Sequence, residues 1–489
     1  MPKISQCCFF LLALFLPVQT IFASFITVKL SLPIWLNLWK EALIVVICIQ
    51  LGIQILRYFQ NQKKLEKSNS IPKLEQLKVL APLILIVFCT LVVTFNSIIF
   101  GEFHSYIYII GFRFELFWLW FFAIITTWLN TKKNRYDLES FNYFRNNLVK
   151  FVFAGFSLVV VFVSAQLLLG QQTVNSFIGF GSESQVEYLV SAPTCHVIDF
   201  GQNSCRLAGT FSTPNHMASY LLLILPLFTI NLTKKNRSKV AYGLLSLLIT
   251  CLIFLTAARF AVLGLGVWLL LTITYFLPRR FLRKLLFSSI ITIPLVITLF
   301  PIYVGFQTKS PIFEIPGQFI PESIAKPSST VEHYRQTMAS LSILTESPTI
   351  ALTGLGLGNS GPAAKSIYQD LFTDNLLYKK FNYVSYDWYI LHYRITIPEN
   401  WYIQLILNGG IFYALAYIAL LTYPVQKLFK GFYTKQVLTF RELQFSLGFL
   451  AILIGNLFLH LWENQTVSMY WSILWIAMQD YSVATESQN

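Results

Sequence analysis

Hydrophobic residues in this chain gather in runs close to twenty long, near 7–25, 40–58, 78–96, 112–130, 148–169, 211–232, 240–257, 258–277, 285–305, 400–423, 441–460 and 466–483, with short polar connections between them. A helix of about 20 residues crosses the roughly 30 Å hydrocarbon core of a bilayer, and lipid offers backbone N–H and C=O groups no partners, so each run is expected to be a membrane-spanning α-helix. Barrel strands would alternate apolar and polar residues, and these runs do not. The pattern predicts an all-α polytopic membrane protein of about twelve transmembrane helices. One long stretch breaks it: from about Gln307 to Pro398 the chain is mostly polar. The expected organisation is transmembrane helices 1 to 9 over residues 1–305 with a smaller external loop at about 170–210, a large external loop over 306–398, and helices 10 to 12 over 399–489.

Composition agrees. With 489 residues, 55% of them hydrophobic and 12% charged, and a mean hydropathy of +0.60, the chain is too apolar for a soluble globule. The first run follows Lys3 and ends at Ala23 like a secretory signal, but Ile21 stands where a cleavage site needs a small residue, so an uncleaved first helix is expected. Orientation follows from the basic residues, because cytoplasmic connections collect them. Of the 36 Lys and Arg residues, 23 fall in five alternate connections, around Arg57 to Lys78, Lys132 to Lys150, Lys234 to Lys239, Arg279 to Lys284 and Lys427 to Arg441. The long polar loop holds seven basic and seven acidic residues, which places it outside and both termini in the cytoplasm. The net charge of +14 then reflects topology, and no nucleic-acid partner is implied.

The outer connections carry the chemistry-bearing residues. Cys195 and Cys205 are close enough in sequence for a small disulfide in an oxidising compartment, or they stay free; the other cysteines lie in apolar runs as small filler. All six histidines fall at or beyond the outer face, yet none has ligand spacing, so no metal and no cofactor is expected. Arg259 follows Thr256-Ala257-Ala258 in a tight hairpin, which puts its guanidinium at the outer membrane boundary. It either anchors the helix in headgroups or binds an anion, and its isolation on the side poor in basic residues favours the anion. Arg206 is a second candidate, just ahead of Ser212-Thr213-Pro214-Asn215, where Ser212 or Thr213 can cap a helix with Pro214 in its first turn. Mid-span ionisable residues are expected to be nearly absent.

Within the large loop, Tyr334, Met338, Leu341 and Leu344 recur at helical spacing, so 332–346 is expected to be an amphipathic helix ended by Pro348, with Arg335 on the adjoining face. Gly354-Leu355-Gly356-Leu357-Gly358-Asn359 resembles a phosphate loop but lacks the Gly-Lys-Ser/Thr ending, and is read as turn glycines. Tyr378, Tyr383, Tyr386, Trp388, Tyr389 and Tyr393 give the loop an aromatic end, suited to stacking on sugar rings or to resting in headgroups.

Taken in order, these residues resemble a known family. Arg206-Leu-Ala-Gly209-Thr-Phe211-Ser-Thr-Pro214-Asn215 is similar to the Arg-x-x-Gly-x-Phe-x-x-Pro-Asn signature of the O-antigen ligase and O-antigen polymerase (Wzy) superfamily. Thr256 to Gly266 resembles its Thr-x-x-Arg helix opening, Arg335 with Pro348 and Gly354 to Asn359 its loop pattern, and Glu399-Asn400-Trp401 with Gly409-Gly410 its entry to the helix after the loop. The resemblance spans about residues 35 to 480. It implies an architecture of the GT-C glycosyltransferase type and transfer of a glycan from a polyprenyl-diphosphate carrier to an acceptor hydroxyl, inverting and metal-independent. Implied partners are the polyprenyl-diphosphate-linked glycan, membrane lipid, and polysaccharide assembly or export proteins. Arg259 and Arg335 would hold the diphosphate bidentately, supported by Arg206, with Asn215 and Asn400 at the substrate. Ligases of the family usually have His-Asn where this chain has Glu399-Asn400, so Glu399 becomes the candidate base, with His392 as the alternative, and a polymerase is favoured. Two other readings stand beside it: a multi-pass transporter or channel subunit, and a non-catalytic partner in a polysaccharide export complex.

The topology is directly testable. A reporter fused near Ser360 should be accessible from outside the inner membrane and one fused near Arg237 should not; finding both on one side would overturn the layout.

Overall fold

The computed structural model describes residues 1–65, 73–99, 105–132, 138–180, 196–197, 205–231, 239–276, 337, 340–341, 343–345, 347–361, 398, 400–426, 440–457, 461 and 465–479, and these are mostly helical. Each predicted apolar run falls on a helix, except 285–305, which lies outside the described residues. Among the described residues, six helical segments are long and apolar enough to cross a membrane: Lys3–Lys29, Trp35–Asn61, Gln76–Ile99, Ile107–Thr131, Glu139–Leu169 and Trp401–Leu421. The chain is an all-α membrane protein.

In chain order the elements are α1 (Lys3–Phe15), α2 (Gln19–Ser24), α3 (Trp39–Leu65), α4 (Lys73–Ile99), α5 (Ser105–Gly111), α6 (Phe117–Lys132), α7 (Leu138–Leu169) and α8 (Gln171–Ile178). A two-stranded antiparallel ribbon follows, β1 (His196–Val197) with β2 (Cys205–Arg206), pairing His196 with Arg206 and Val197 with Cys205. Next come α9 (Pro214–Asn231), α10 (Lys239–Leu255) and α11 (Arg259–Phe276). The last are α12 (Pro348–Thr353), α13 (Trp401–Leu421), α14 (Phe440–Gly455) and α15 (Gln465–Met478).

Helix α4 shows how the sequence makes both a core and a lipid face. Ile86, Cys89, Val93 and Asn96 are buried, while Ile84, Phe88, Leu91, Phe95 and Ile98 are exposed at the same helical spacing. A helix facing water would put polar residues on that second stripe; an outward apolar one suits hydrocarbon. Inside, α6 packs against α3, α4 and α15, and α4 packs against α13. A second group joins α9 to α10 and α14, and α14 to α11; α15 touches both α6 and α9 and links the groups. Because lipid tails are as apolar as leucine, close packing and interhelical hydrogen bonds carry this assembly. Gly155 of α7 lies where an added Cβ would come within 2.6 Å of the Ala13 carbonyl oxygen, and the Tyr470 hydroxyl donates to that same oxygen at 2.6 Å. The first helix is thus built into the core, with Phe9, Leu12 and Ala13 fully covered.

The polar connections meet at one end of the bundle. Leu207 N donates to Leu255 O at 3.2 Å, Phe260 packs on Gly455, Trp401 N donates to Asn456 O at 3.1 Å, and Leu357 N donates to Ser97 Oγ at 2.9 Å. At the opposite end, Arg145 Nη1 donates to Gln479 O at 2.7 Å. Of the helix expected at 332–346, residues 337, 340–341 and 343–345 are helical, and Ile343 and Leu344 pack with Ile350, Leu355 and Ile403. Pro348 both ends it and starts α12, after Ser347 leaves helical geometry at φ −128°.

Helix α13 is broken in mid-course. Gly410 has φ 79° and ψ 175°, a region open essentially to glycine alone, and a Cβ there would overlap the Leu352 carbonyl oxygen. Gly410→Ala should therefore cost about 1–3 kcal/mol from the backbone angle alone, with the overlap in addition. Thermal unfolding of the purified protein should show a clear drop, whereas Gly266→Ala, with nothing within 4 Å, should not. Equal stability of the two variants would contradict the kink.

Candidate functional site

Three of the residues singled out in the sequence come together at the polar end. The tight hairpin between α10 and α11 closes as the spacing predicts: Thr256 Oγ1 accepts from Ala258 N at 3.3 Å, and Ala257 takes a positive φ of 49°. This turn leaves Arg259 exposed as the first residue of α11. It also presents the Thr256 carbonyl to β2, where Arg206 Nε donates to it at 3.0 Å. Arg206 Nη2 donates to Asn215 Oδ1 at 3.1 Å, and Gln171 Nε2 donates to the Arg206 carbonyl at 3.0 Å. Asn215 is placed by the start of α9, where Thr213 Oγ1 accepts from His216 N at 3.2 Å and Pro214 begins the helix; of the two candidate caps, the structure uses Thr213.

Among the described residues, two cations meet at this corner. Burial, and then the charge of Arg259, lower the Arg206 pKa from its ordinary value, which for a guanidinium leaves it a cation. Two 18-residue helices, α9 and α11, begin here and add the positive ends of their dipoles. A group carrying two negative charges would be stabilised by all four contributions. On β2, Cys205 is disulfide-bonded; Cys195, the partner anticipated from sequence, lies outside the described residues.

Asn400, expected at the substrate, sits at the start of α13. Its Oδ1 accepts from Tyr402 N and Ile403 N at 3.1 and 3.2 Å and its Nδ2 donates to Leu457 O at 2.9 Å, so it caps α13 and ties it to α14. Pro398 is buried, and its carbonyl accepts from Thr337 Oγ1 at 2.9 Å. Glu399, Arg335 and His392 lie outside the described residues. The segment that flanks Glu399 nonetheless connects to the arginine pair: Trp401 bonds Asn456, next to Gly455, against which Phe260 packs beside Arg259.

The expectation that the spans are nearly free of ionisable groups does not hold. Arg113 donates to Glu41 Oε1 through Nε at 2.9 Å and Nη2 at 2.6 Å, and Lys40 lies 3.3 Å from the same oxygen. Glu115 is 2% exposed inside the span Ile107–Thr131. The run was expected to begin at 112, which put Arg113 and Glu115 at a boundary; the helix begins earlier and carries both inward. Glu115 Oε1 accepts from Gln404 Nε2 at 3.3 Å and from Asn408 Nδ2, and Oε2 pairs with the Tyr413 hydroxyl at 3.2 Å. A carboxylate inside an aromatic run, Phe112 to Phe122, was the signal that could have found it.

Around Glu115 the glycine-rich stretch is a turn-glycine loop, as read. Gly354, Gly356, Gly358 and Gly361 all have positive φ, and the loop lies against the break in α13. There the carbonyls that the kink frees are taken up: Leu355 N donates to Leu407 O at 2.6 Å, Gly356 N to Asn408 O at 3.1 Å, and Asn96 Nδ2 to Gly409 O at 3.0 Å. Asn408 completes the link, accepting from Ser360 N at 2.8 Å and donating to Ser360 O at 3.1 Å.

Replacing Glu115 by Leu would remove an acceptor shared by Gln404, Asn408 and Tyr413, at about 1–3 kcal/mol for each donor hydrogen left unsatisfied. Glu115→Leu should lower the melting temperature much more than Glu115→Gln, and combining it with Asn408→Leu should cost less than the sum, as in a shared network. A Leu variant as stable as the parent would remove Glu115 from this role. No protein-family model matches the chain, and no curated protein matches it in sequence.

Proposed function

We propose that this protein is a glycan polymerase or ligase of the O-antigen ligase and polymerase kind, with the GT-C-like twelve-span layout and cytoplasmic termini that the resemblance and the basic connections imply. It transfers an oligosaccharide from a polyprenyl diphosphate to an acceptor hydroxyl on the outer face of a bacterial plasma membrane. The observation that carries the reading is Arg206, held by Asn215 and the Thr256 carbonyl, beside Arg259 at the starts of two helices. In this transfer the acceptor oxygen bonds to the anomeric carbon, the bond from that carbon to the diphosphate breaks, and the electron pair leaves on a phosphate oxygen. Paired guanidiniums at that oxygen stabilise the departing charge. The acceptor proton passes to a base, the role proposed for Glu399, and Glu399 in place of the family's usual His favours the polymerase.

A transporter is the second reading, favoured by the buried Glu115 and the broken α13, since discontinuous helices and intramembrane carboxylates mark translocation paths. Against it, both Glu115 oxygens already pair with α13 side chains, an arrangement that suits a structural pin better than a transient ion site.

Arg259→Lys separates these readings, because it keeps the charge and loses the planar fork. In cells making the surface polysaccharide, long-chain product on a gel should fall well over tenfold, roughly 1.5–3 kcal/mol for a charge-assisted contact. Full product in the Lys variant would make Arg259 a membrane anchor only. Deleting the gene should leave single repeats on the final acceptor for a polymerase, or full-length chains on the carrier for a ligase; an unaltered ladder would leave the transporter.

A further inference from the structure

A second cluster of charge stands where the spans Trp35–Asn61 and Ile107–Thr131 begin. A Cβ on Gly111 would lie 2.7 Å from the Gly358 backbone, which puts this cluster at the glycine loop's end of the bundle. Glu41 takes both of its cations on one oxygen: Oε1 accepts from Arg113 Nε at 2.9 Å and Nη2 at 2.6 Å, and Lys40 Nζ lies 3.3 Å from it. Lys40 is sealed at 1% exposure and also donates to Asn37 O at 3.4 Å. Glu115, on the same turn as Arg113, faces Gln404, Asn408 and Tyr413 instead, so among the described residues Glu41 is the one carboxylate paired with either cation. Two cations against one carboxylate leave this pairing with a surplus positive charge.

The local backbone determines how Arg113 is presented. It belongs to a π-helical turn, Phe112–Leu116, between α5 and α6; such a turn carries an extra residue, and here Arg113 goes to α3 while Glu115 goes to α13. A guanidinium offers donors along more than one edge. The edge of Nε and Nη2 is occupied by Glu41, whereas Nη1, with the second hydrogen of Nη2, has no partner among the described residues. The side chain is 23% exposed. Ile109, four positions before it, is 63% exposed, and Leu38, three positions before Glu41, is 43% exposed, so the surface around this edge is one that faces hydrocarbon. A cation there is costly unless it reaches a partner at the membrane boundary. A 27-residue span is about 40 Å long and the hydrocarbon core about 30 Å thick, so about 5 Å project at each end and the cluster lies only a few ångströms inside that boundary.

At that level a bilayer offers one abundant anion, the phosphodiester of its own lipids. Its single negative charge matches the surplus, and its two free oxygens match the two donors of the open guanidinium edge. Trp35, 64% exposed where its span begins, suits the same headgroup level. We infer that the junction of α3 with the π turn before α6 is a binding site for a membrane phospholipid, whose phosphodiester is held by the Nη1 and Nη2 edge of Arg113. Glu41 is a positioning residue that fixes the plane of the guanidinium, and Lys40 keeps the site cationic after Glu41 has neutralised one charge. The site stands on its own geometry and does not depend on the transferase reading.

The test uses the full chain, stripped of lipid in detergent and titrated in native mass spectrometry with dioleoylphosphatidylglycerol, dioleoylphosphatidylethanolamine, dioleoylglycerol, a polyprenyl phosphate and inorganic phosphate. A phospholipid should bind saturably, and dioleoylglycerol, with the same chains and no phosphate, should not. Arg113→Gln should raise the dissociation constant of the first phospholipid at least fivefold. Glu41→Gln keeps the shape and removes the competing negative charge, so it should lower that constant at least threefold, a gain that misfolding cannot imitate. If Arg113→Gln alone fails to fold, Arg113→Gln combined with Glu41→Gln sets amide against amide and decides the matter, again with a loss of at least fivefold. Phospholipid affinity unchanged by the loss of Arg113, dioleoylglycerol bound as tightly as the phospholipids, or inorganic phosphate bound in preference to them overturns the proposal. Polyprenyl phosphate bound more tightly than either phospholipid and lost in Arg113→Gln also overturns it, by giving the site to the carrier.

Discussion

Backbone polarity inside an apolar bundle is the constraint on which this structure depends. Where α13 breaks at Gly410, carbonyls of Leu407, Asn408 and Gly409 lose helical partners at a depth where lipid offers none. The glycine loop and Asn96 satisfy them, and the positive φ angles of the loop let its backbone come close enough to do so. Glu115 holds the other side, gathering Gln404, Asn408 and Tyr413 of the same helix. An irregular helix, an irregular loop and a buried carboxylate are thus one hydrogen-bonded unit, and each would be costly without the others.

That unit and the arginine corner share one end of the bundle. The hairpin at Ala257 sets Arg259 at the mouth of α11 and hands the Thr256 carbonyl to Arg206, so both cations are positioned by four residues of turn. Phe260 and Gly455 carry the connection to Asn456 and Trp401, where the large loop re-enters the helices. The candidate anion site therefore rests on helix termini and a tight turn, which are rigid supports, with the polar segments arranged around it.

Much of this was legible in the sequence where the cause is local. Apolar runs became helices, Thr213 and Pro214 opened α9, Pro348 divided two helices, and Thr256 to Arg259 made a tight turn, because caps, prolines and hydrophobic length act over a few residues. Relations across long separations were not legible. Glu115 meets Asn408, 293 positions away, and nothing within its own segment names that partner. Arg206 and Arg259 looked like separate candidates because only the fold makes them neighbours. Asn400 carried two meanings: a polar residue beside Glu399 suits a site, yet an Asn immediately before an apolar run is also an N-cap, and the helix took it.

The glycine loop also imposes an order on biogenesis. Ser97 of α4 donates to Val93 O at 2.6 Å and accepts from Leu357 N, so its hydroxyl is completed only by a segment synthesised 260 residues later. Leu355 and Gly356 in turn need the carbonyls of Leu407 and Asn408, which follow them. Helices α4 and α6 must therefore enter the membrane with their shared polar seam still open, and keep it open while the chain between is threaded. That seam closes from the loop's side of the bundle only once α13 has been made, so this part of the interior waits on α13's arrival.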